Sequence, residues 1–198
     1  MYMASQATNP PTRGSMDMLQ PILIDSHDFV ELRTNQCIYV DKTAYLYGLI
    51  SCRDARRFFL ARPRRFGKSM MISTLKAIFD GCRELFDGLA ISKTDWKWEK
   101  YPVLNFDLSL AAADSANRFE RNFIAVVKST LMEVGIAYDT ENTPEINFGM
   151  AIDKLAETSD GKGVVILIDE YDDPVAQLLD QPMKRRMYAS CWRRSINR

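Results

Sequence analysis

Two short groups of side chains in this sequence could handle a phosphorylated ligand. The first is Gly67-Lys68-Ser69, within LARPRRFGKSMM at residues 60–71. A glycine lets the backbone approach a phosphate where a side chain would collide. A lysine reaches the β- and γ-phosphates as a point charge, and a serine hydroxyl suits Mg²⁺. The second is Asp169-Glu170, directly after the apolar run in GVVILIDEYDDP. A carboxylate at the end of such a strand can hold Mg²⁺ near a phosphate loop. Its neighbour projects differently and can orient an attacking water or accept its proton. Ser69 and Asp169 are the metal candidates, and Glu170 is the catalytic candidate.

Each group has an ordinary explanation. A stray Gly-Lys-Ser/Thr triplet is expected in about one chain in ten of this length. Acids after a strand are commonly soluble turn residues, which is the plain reading of Asp172 and Asp173. Only the surrounding elements, in the right chain order, separate chemistry from coincidence.

Those elements alternate. Residues 56–61, RRFFLA, form a short aromatic and apolar run expected to be a buried strand. From Lys68 onward, Met71, Ile72, Leu75, Ile78 and Phe79 recur at helical spacing, with Gly81 placed for a C-terminal cap. Residues 102–109 predict a second strand. Phe119, Phe123, Val126, Val127, Leu131 and Val134 make one stripe of a helix over 115–134. A further helix is expected over 146–158, through Phe148, Ile152 and Leu155. Five consecutive apolar residues, 164–168, then predict a parallel strand buried on both faces.

Upstream, residues 19–40 suggest short extended or turn-linked pieces. Asp41 is the expected N-cap of a helix carrying Tyr45, Leu46, Leu49 and Ile50 on one side, and residues 85–100 suggest a connecting segment with short turns. Strands alternating with helices predict an α/β fold, with a parallel sheet flanked by helices.

The totals exclude several classes. Of 198 residues, 26 are basic and 26 acidic, so no global field draws the chain to nucleic acid or acidic lipid. Cys37, Cys52, Cys82 and Cys191 are scattered and His27 stands alone, which does not make a zinc site. Reduced, mostly structural thiols are expected. No run approaches the roughly 18 apolar residues of a membrane span. The first 18 residues lack the apolar core of a signal peptide and suggest a flexible tail. A cytoplasmic location is the expectation. The organisation reads as a tail over 1–18, one domain over 19–180 and a basic tail over 181–198.

VDKT at 40–43, RPRRFGKS at 62–69, YPVLNFD at 101–107 and LIDEYDDP at 167–174 together resemble the bacterial AAA-ATPase-like domain family. The similarity runs from about residue 21 to 180 and implies a P-loop NTPase architecture. It implies ATP with Mg²⁺, and the choice of ATP over GTP rests on it alone. By match to the family, Lys68, Ser69, Asp169 and Glu170 take the phosphate, magnesium and water roles. The expected nucleotide-contacting set is Arg64, Arg65, Phe66, Gly67, Lys68 and Ser69, the arginines adding charge-assisted bonds to phosphate or facing a nucleic-acid backbone. Arg62 stands where a phosphate loop usually opens with glycine, and Pro63 biases it toward an extended conformation. An arginine-proline entrance is frequent in the family, so the loop is expected to tolerate it.

Family members resembling this one continue past the acidic strand with another strand that bears a polar sensor residue. Many add a nuclease-like domain. The sequence ends instead in MKRRMYASCWRRSINR, so a shortened end is expected. Direct pairing of the phosphate-loop strand with the acidic strand would move Asp169 relative to Lys68 by up to about 4.8 Å and impair hydrolysis. Two alternatives stand beside ATP binding. One is a nucleic-acid module using Arg62, Arg64 and Arg65 with the basic residues Lys184, Arg185, Arg186, Arg193 and Arg194. The other is a non-functional fragment.

Overall fold

A computed structural model describes residues 20–22, 26–52, 57–61 and 66–172. The tails over 1–18 and 181–198, the loop entrance Arg62, Pro63, Arg64 and Arg65, Asp173 and Cys191 lie outside the described residues.

Two strands, β1 (Val103–Asp107) and β2 (Val165–Asp169), pair in parallel, with Val103 opposite Val165 and Asp107 opposite Asp169. Parallel neighbours need a long crossover. Two helices supply it, α4 (Ala116–Glu133) and α5 (Pro144–Thr158). Alternation along each strand then divides the core. Val103, Val165 and Leu167 join one apolar cluster with α3 (Lys68–Phe79) and α1 (Phe29–Thr34). Leu104, Phe106 and Ile168 join a second cluster beneath α4 and α5. The sheet therefore lies between two helical layers, an α/β arrangement.

Local chemistry explains the helix ends. Thr143 caps α5 by accepting from the Ile146 amide, and Pro144 opens the helix where a missing N–H costs nothing. α3 ends as its sequence predicts. Gly81 takes φ +77°, its N–H donates to Ile78 O, and the Cys82 N–H donates to Ala77 O.

Several expectations need correction. Residues 57–61 carry no strand. Phe58 and Phe59 are exposed, and an aromatic run gains strand geometry only against a partner, which none of the described elements provides. The anticipated direct pairing with the acidic strand is therefore not observed; β2 pairs with β1. Nor is β2 buried on both faces: Ile166 is 40% exposed, because no described element covers it.

Residues 29–34, within the stretch expected as short extended or turn-linked pieces, form α1, since the Asp28 carboxylate accepts from the Val30 amide and caps a turn whose Phe29 and Leu32 are buried. Lys42, not Asp41, is the N-cap of α2 (Thr43–Ile50). Asp41 instead accepts from the Thr43 amide, the Thr43 hydroxyl and the distant Ala90 amide, which ties α2 to the 83–93 segment. Leu46 is buried but Tyr45 points to solvent. Residues 83–86 and 90–93 are short 3₁₀ turns in the segment expected to be turns.

Candidate functional site

Gly67 precedes α3 with φ +73° and ψ +33°, a left-handed conformation that disfavours any side chain. It turns the chain into the helix, and Met71 N–H, donating to Gly67 O, closes the first turn. The first amides of α3 have no acceptor within the helix and face out from its N-terminus, where the backbone dipole favours negative charge. Lys68 is the first helical residue and is only 9% exposed. A buried ammonium needs partners.

The partners come from the turn after β2. Lys68 Nζ lies 3.5 Å from Glu170 Oε2 and 3.3 Å from Asp172 Oδ1, and sits over the Tyr171 ring at 5.8 Å from its centre. Burial opposes the charge on Lys68, but the Asp172 and Glu170 carboxylates outweigh it and raise its pKa above the ordinary value. Glu170 has φ +48°, a conformation that costs a non-glycine residue about 1–2 kcal/mol. Its amide donates to Asp169 Oδ1 at 2.9 Å. Strain of this kind persists where the surroundings over-determine it. Phe59 also packs on Tyr171, with ring centres 4.8 Å apart.

Ser69 and Asp169 line one cavity of about 890 Å³ walled by α3, the strand ends and the segment through α1, together with Asn105 and Asp107. The structure thus brings Lys68 to Glu170 directly, and Ser69 and Asp169 to a common space. Lys68 contacts Glu170 and Asp172 rather than Asp169. Phe66 is exposed beside Gly67. Arg64 and Arg65 lie outside the described residues. Asp172, whose plain reading was a solvated turn residue, is instead an ion-pair partner of Lys68. Asp107 was not singled out either, although alternation along VLNFD puts it on the same side as Val103.

The donors that Ser69 and the strand ends bring to this cavity are hard oxygens: the Ser69 hydroxyl, the Asp107 and Asp169 carboxylates and the amide of Asn105, whose Oδ1 is closed off without a hydrogen-bond partner; further hydroxyls and carboxylates, with His27 and Lys76, line the rest of it. Such a set fits Mg²⁺. Among the described residues no group of three or more Asp, Glu, His or Cys side chains could hold a metal.

The model of the AAA-ATPase-like family, described as "Predicted AAA-ATPase", matches residues 21–195. The chain belongs to that family. A curated relative of Azotobacter chroococcum mcd 1, described as an uncharacterized protein in the vnfD 5′ region, is 35% identical over 145 residues. Those residues are 73% of this chain but 27% of the relative, so the chain spans about a quarter of the relative's length. No solved structure matches. Among the described residues of this AAA-ATPase-like chain, no helix is long and apolar enough to cross a membrane.

Proposed function

We propose that this chain is a P-loop domain that binds ATP with Mg²⁺ and hydrolyses its γ-phosphate. The observation that carries the reading is the buried Lys68 at the N-terminus of α3, facing Glu170 at the end of β2. A cation held at a helix N-terminus against two carboxylates is a site from which phosphate can displace the acids.

On binding, Lys68 releases Glu170 and Asp172 and takes the β- and γ-phosphate oxygens, while backbone amides after Gly67 cradle the chain of phosphates. Arg64 and Arg65 add charge-assisted hydrogen bonds at the loop entrance, and Phe66 flanks it. Ser69 and Asp169 would hold the Mg²⁺, which when bound would supply positive charge against the phosphates. Glu170, freed from Lys68, orients a water against the γ-phosphorus and takes its proton. The water oxygen forms the new P–O bond as the bond to the bridging oxygen breaks, leaving ADP and inorganic phosphate.

The test is equilibrium binding of a fluorescent ATP analogue to the wild type and to Lys68→Ala. Loss of a charge-assisted contact of about 1.5–3 kcal/mol predicts at least about tenfold weaker binding. Equal affinity in the two proteins would remove Lys68 from the site and end the reading. A nucleic-acid role through the arginine loop predicts salt-dependent DNA binding that Lys68→Ala leaves intact.

A further inference from the structure

We propose that Asp107 is a second carboxylate for the cation that accompanies the triphosphate, acting beside Asp169; this rests on the nucleotide-binding reading above. Three features of the sheet lead to it. First, the parallel register sets Asp107 directly opposite Asp169 at the matching ends of β1 and β2. Neighbouring strands are about 4.8 Å apart, close enough for two carboxylates to share one hydrated cation.

Second, side-chain alternation sends the pair to one face. Val103 and Leu167 are packed in the α3-side cluster, so Asn105, Asp107 and Asp169, an even number of residues further along, lie on that side too. All three line the cavity that Ser69 enters from α3. Third, Asn105 Oδ1 is a buried acceptor with no donor among the described residues. Buried oxygens of this kind cost stability unless something donates to them. Rotation of the Asn105 amide toward the cavity would bring that oxygen to water on a cation held by Asp107 and Asp169.

Asp107 also has a structural task. Its Oδ1 accepts from the Ser109 amide at 3.0 Å and caps the 3₁₀ turn over Leu108–Ala111. That bond uses one of its two carboxylate oxygens. Asparagine and serine cap equally well. Asp107→Asn and Asp107→Ser therefore keep the turn and remove the charge, which separates the two roles.

The experiment measures binding of a non-hydrolysable fluorescent ATP analogue to the full chain, with Mg²⁺ and with chelator. Mn²⁺ paramagnetic resonance provides a direct readout of the metal. In the wild type Mg²⁺ tightens nucleotide binding, and Mn²⁺ is immobilised only when nucleotide is present. In Asp107→Asn and Asp107→Ser the Mg²⁺ enhancement and Mn²⁺ affinity fall about tenfold or more, as for loss of a supporting carboxylate in a metal site. Chelated-buffer affinity in both variants is unchanged or tighter. A full Mg²⁺ enhancement in both variants, with binding still sensitive to Lys68→Ala, overturns the role of Asp107 and leaves the nucleotide site standing. A wild type that binds no nucleotide in either buffer overturns both.

Discussion

Replacing Asp172 with asparagine should loosen the fold slightly and tighten nucleotide binding. In the ligand-free chain Lys68 Nζ is 3.3 Å from Asp172 Oδ1 and 3.5 Å from Glu170 Oε2. Incoming phosphate has to draw the ammonium away from both. At 3.3 Å a bare Coulomb term runs from about 1.3 kcal/mol at the dielectric of water to about 5 kcal/mol at an effective constant of 20. The Asp172 side chain is 43% exposed, so the screened end applies, and the net hold of the pair is about 0.5–1 kcal/mol.

Removing that hold should tighten binding of a triphosphate about two- to fivefold, at about 1.4 kcal/mol per tenfold. The repulsion between Asp172 and the phosphates disappears as well, with the same sign. Urea unfolding of the ligand-free protein should meanwhile lose about 0.5–1 kcal/mol. Opposite signs in the two measurements are the signature of a contact made only without nucleotide. Both changes should shrink at high salt, because the pair is partly exposed. Weaker nucleotide binding in Asp172→Asn would refute this reasoning and make Asp172 a contributor to the bound state.

Three other perturbations test separate parts of the structure. Glu170→Gln should leave analogue binding within a few-fold and slow phosphate release by about 10²–10⁴, the usual contribution of a positioned general base; unchanged turnover would release Glu170 from that role. Gly81→Ala places a Cβ 3.0 Å from Trp98 O at φ +77°, so about 1–2 kcal/mol of stability should be lost in denaturant titration from the left-handed backbone alone. The Asp41 carboxylate supplies a pH test. Burial opposes its charge, but hydrogen bonds from Thr43 and Ala90 prevail and lower its pKa below 3.8. Its contribution is therefore complete above that value and lost as pH falls through the lower folded pKa. The stability difference between wild type and Asp41→Asn should be constant at neutral pH and vanish in strong acid; a difference that persists there would rule out this linkage.

What the sequence revealed depended on how local the determining physics was. The bounds of α3 are written in its residues, because Gly67 and Gly81 both occupy left-handed positions and the apolar stripe between them needs no distant partner. α4 and α5 were legible for the same reason. β1 and β2 were legible as strands, but the exposure of Ile166 was not: five apolar letters in a row say nothing about which face a neighbour covers. Residues 57–61 have a similar composition and no strand, since pairing is a property of two segments.

The candidate site divides along the same line. Lys68 and Glu170 stand out in one dimension because a lysine after glycine and an acid after an apolar run carry their chemistry in their types. Asp172 and Asp107 do not. Asp172 became visible only when the turn at Glu170 brought it against a buried ammonium, and Asp107 only when the register with β2 was known. Both belong to relations between segments far apart in the chain. Further participants in the site are therefore to be sought at matching strand ends and in the partners of buried charges, where pairing and burial give ordinary acids a task that their sequence neighbours do not reveal.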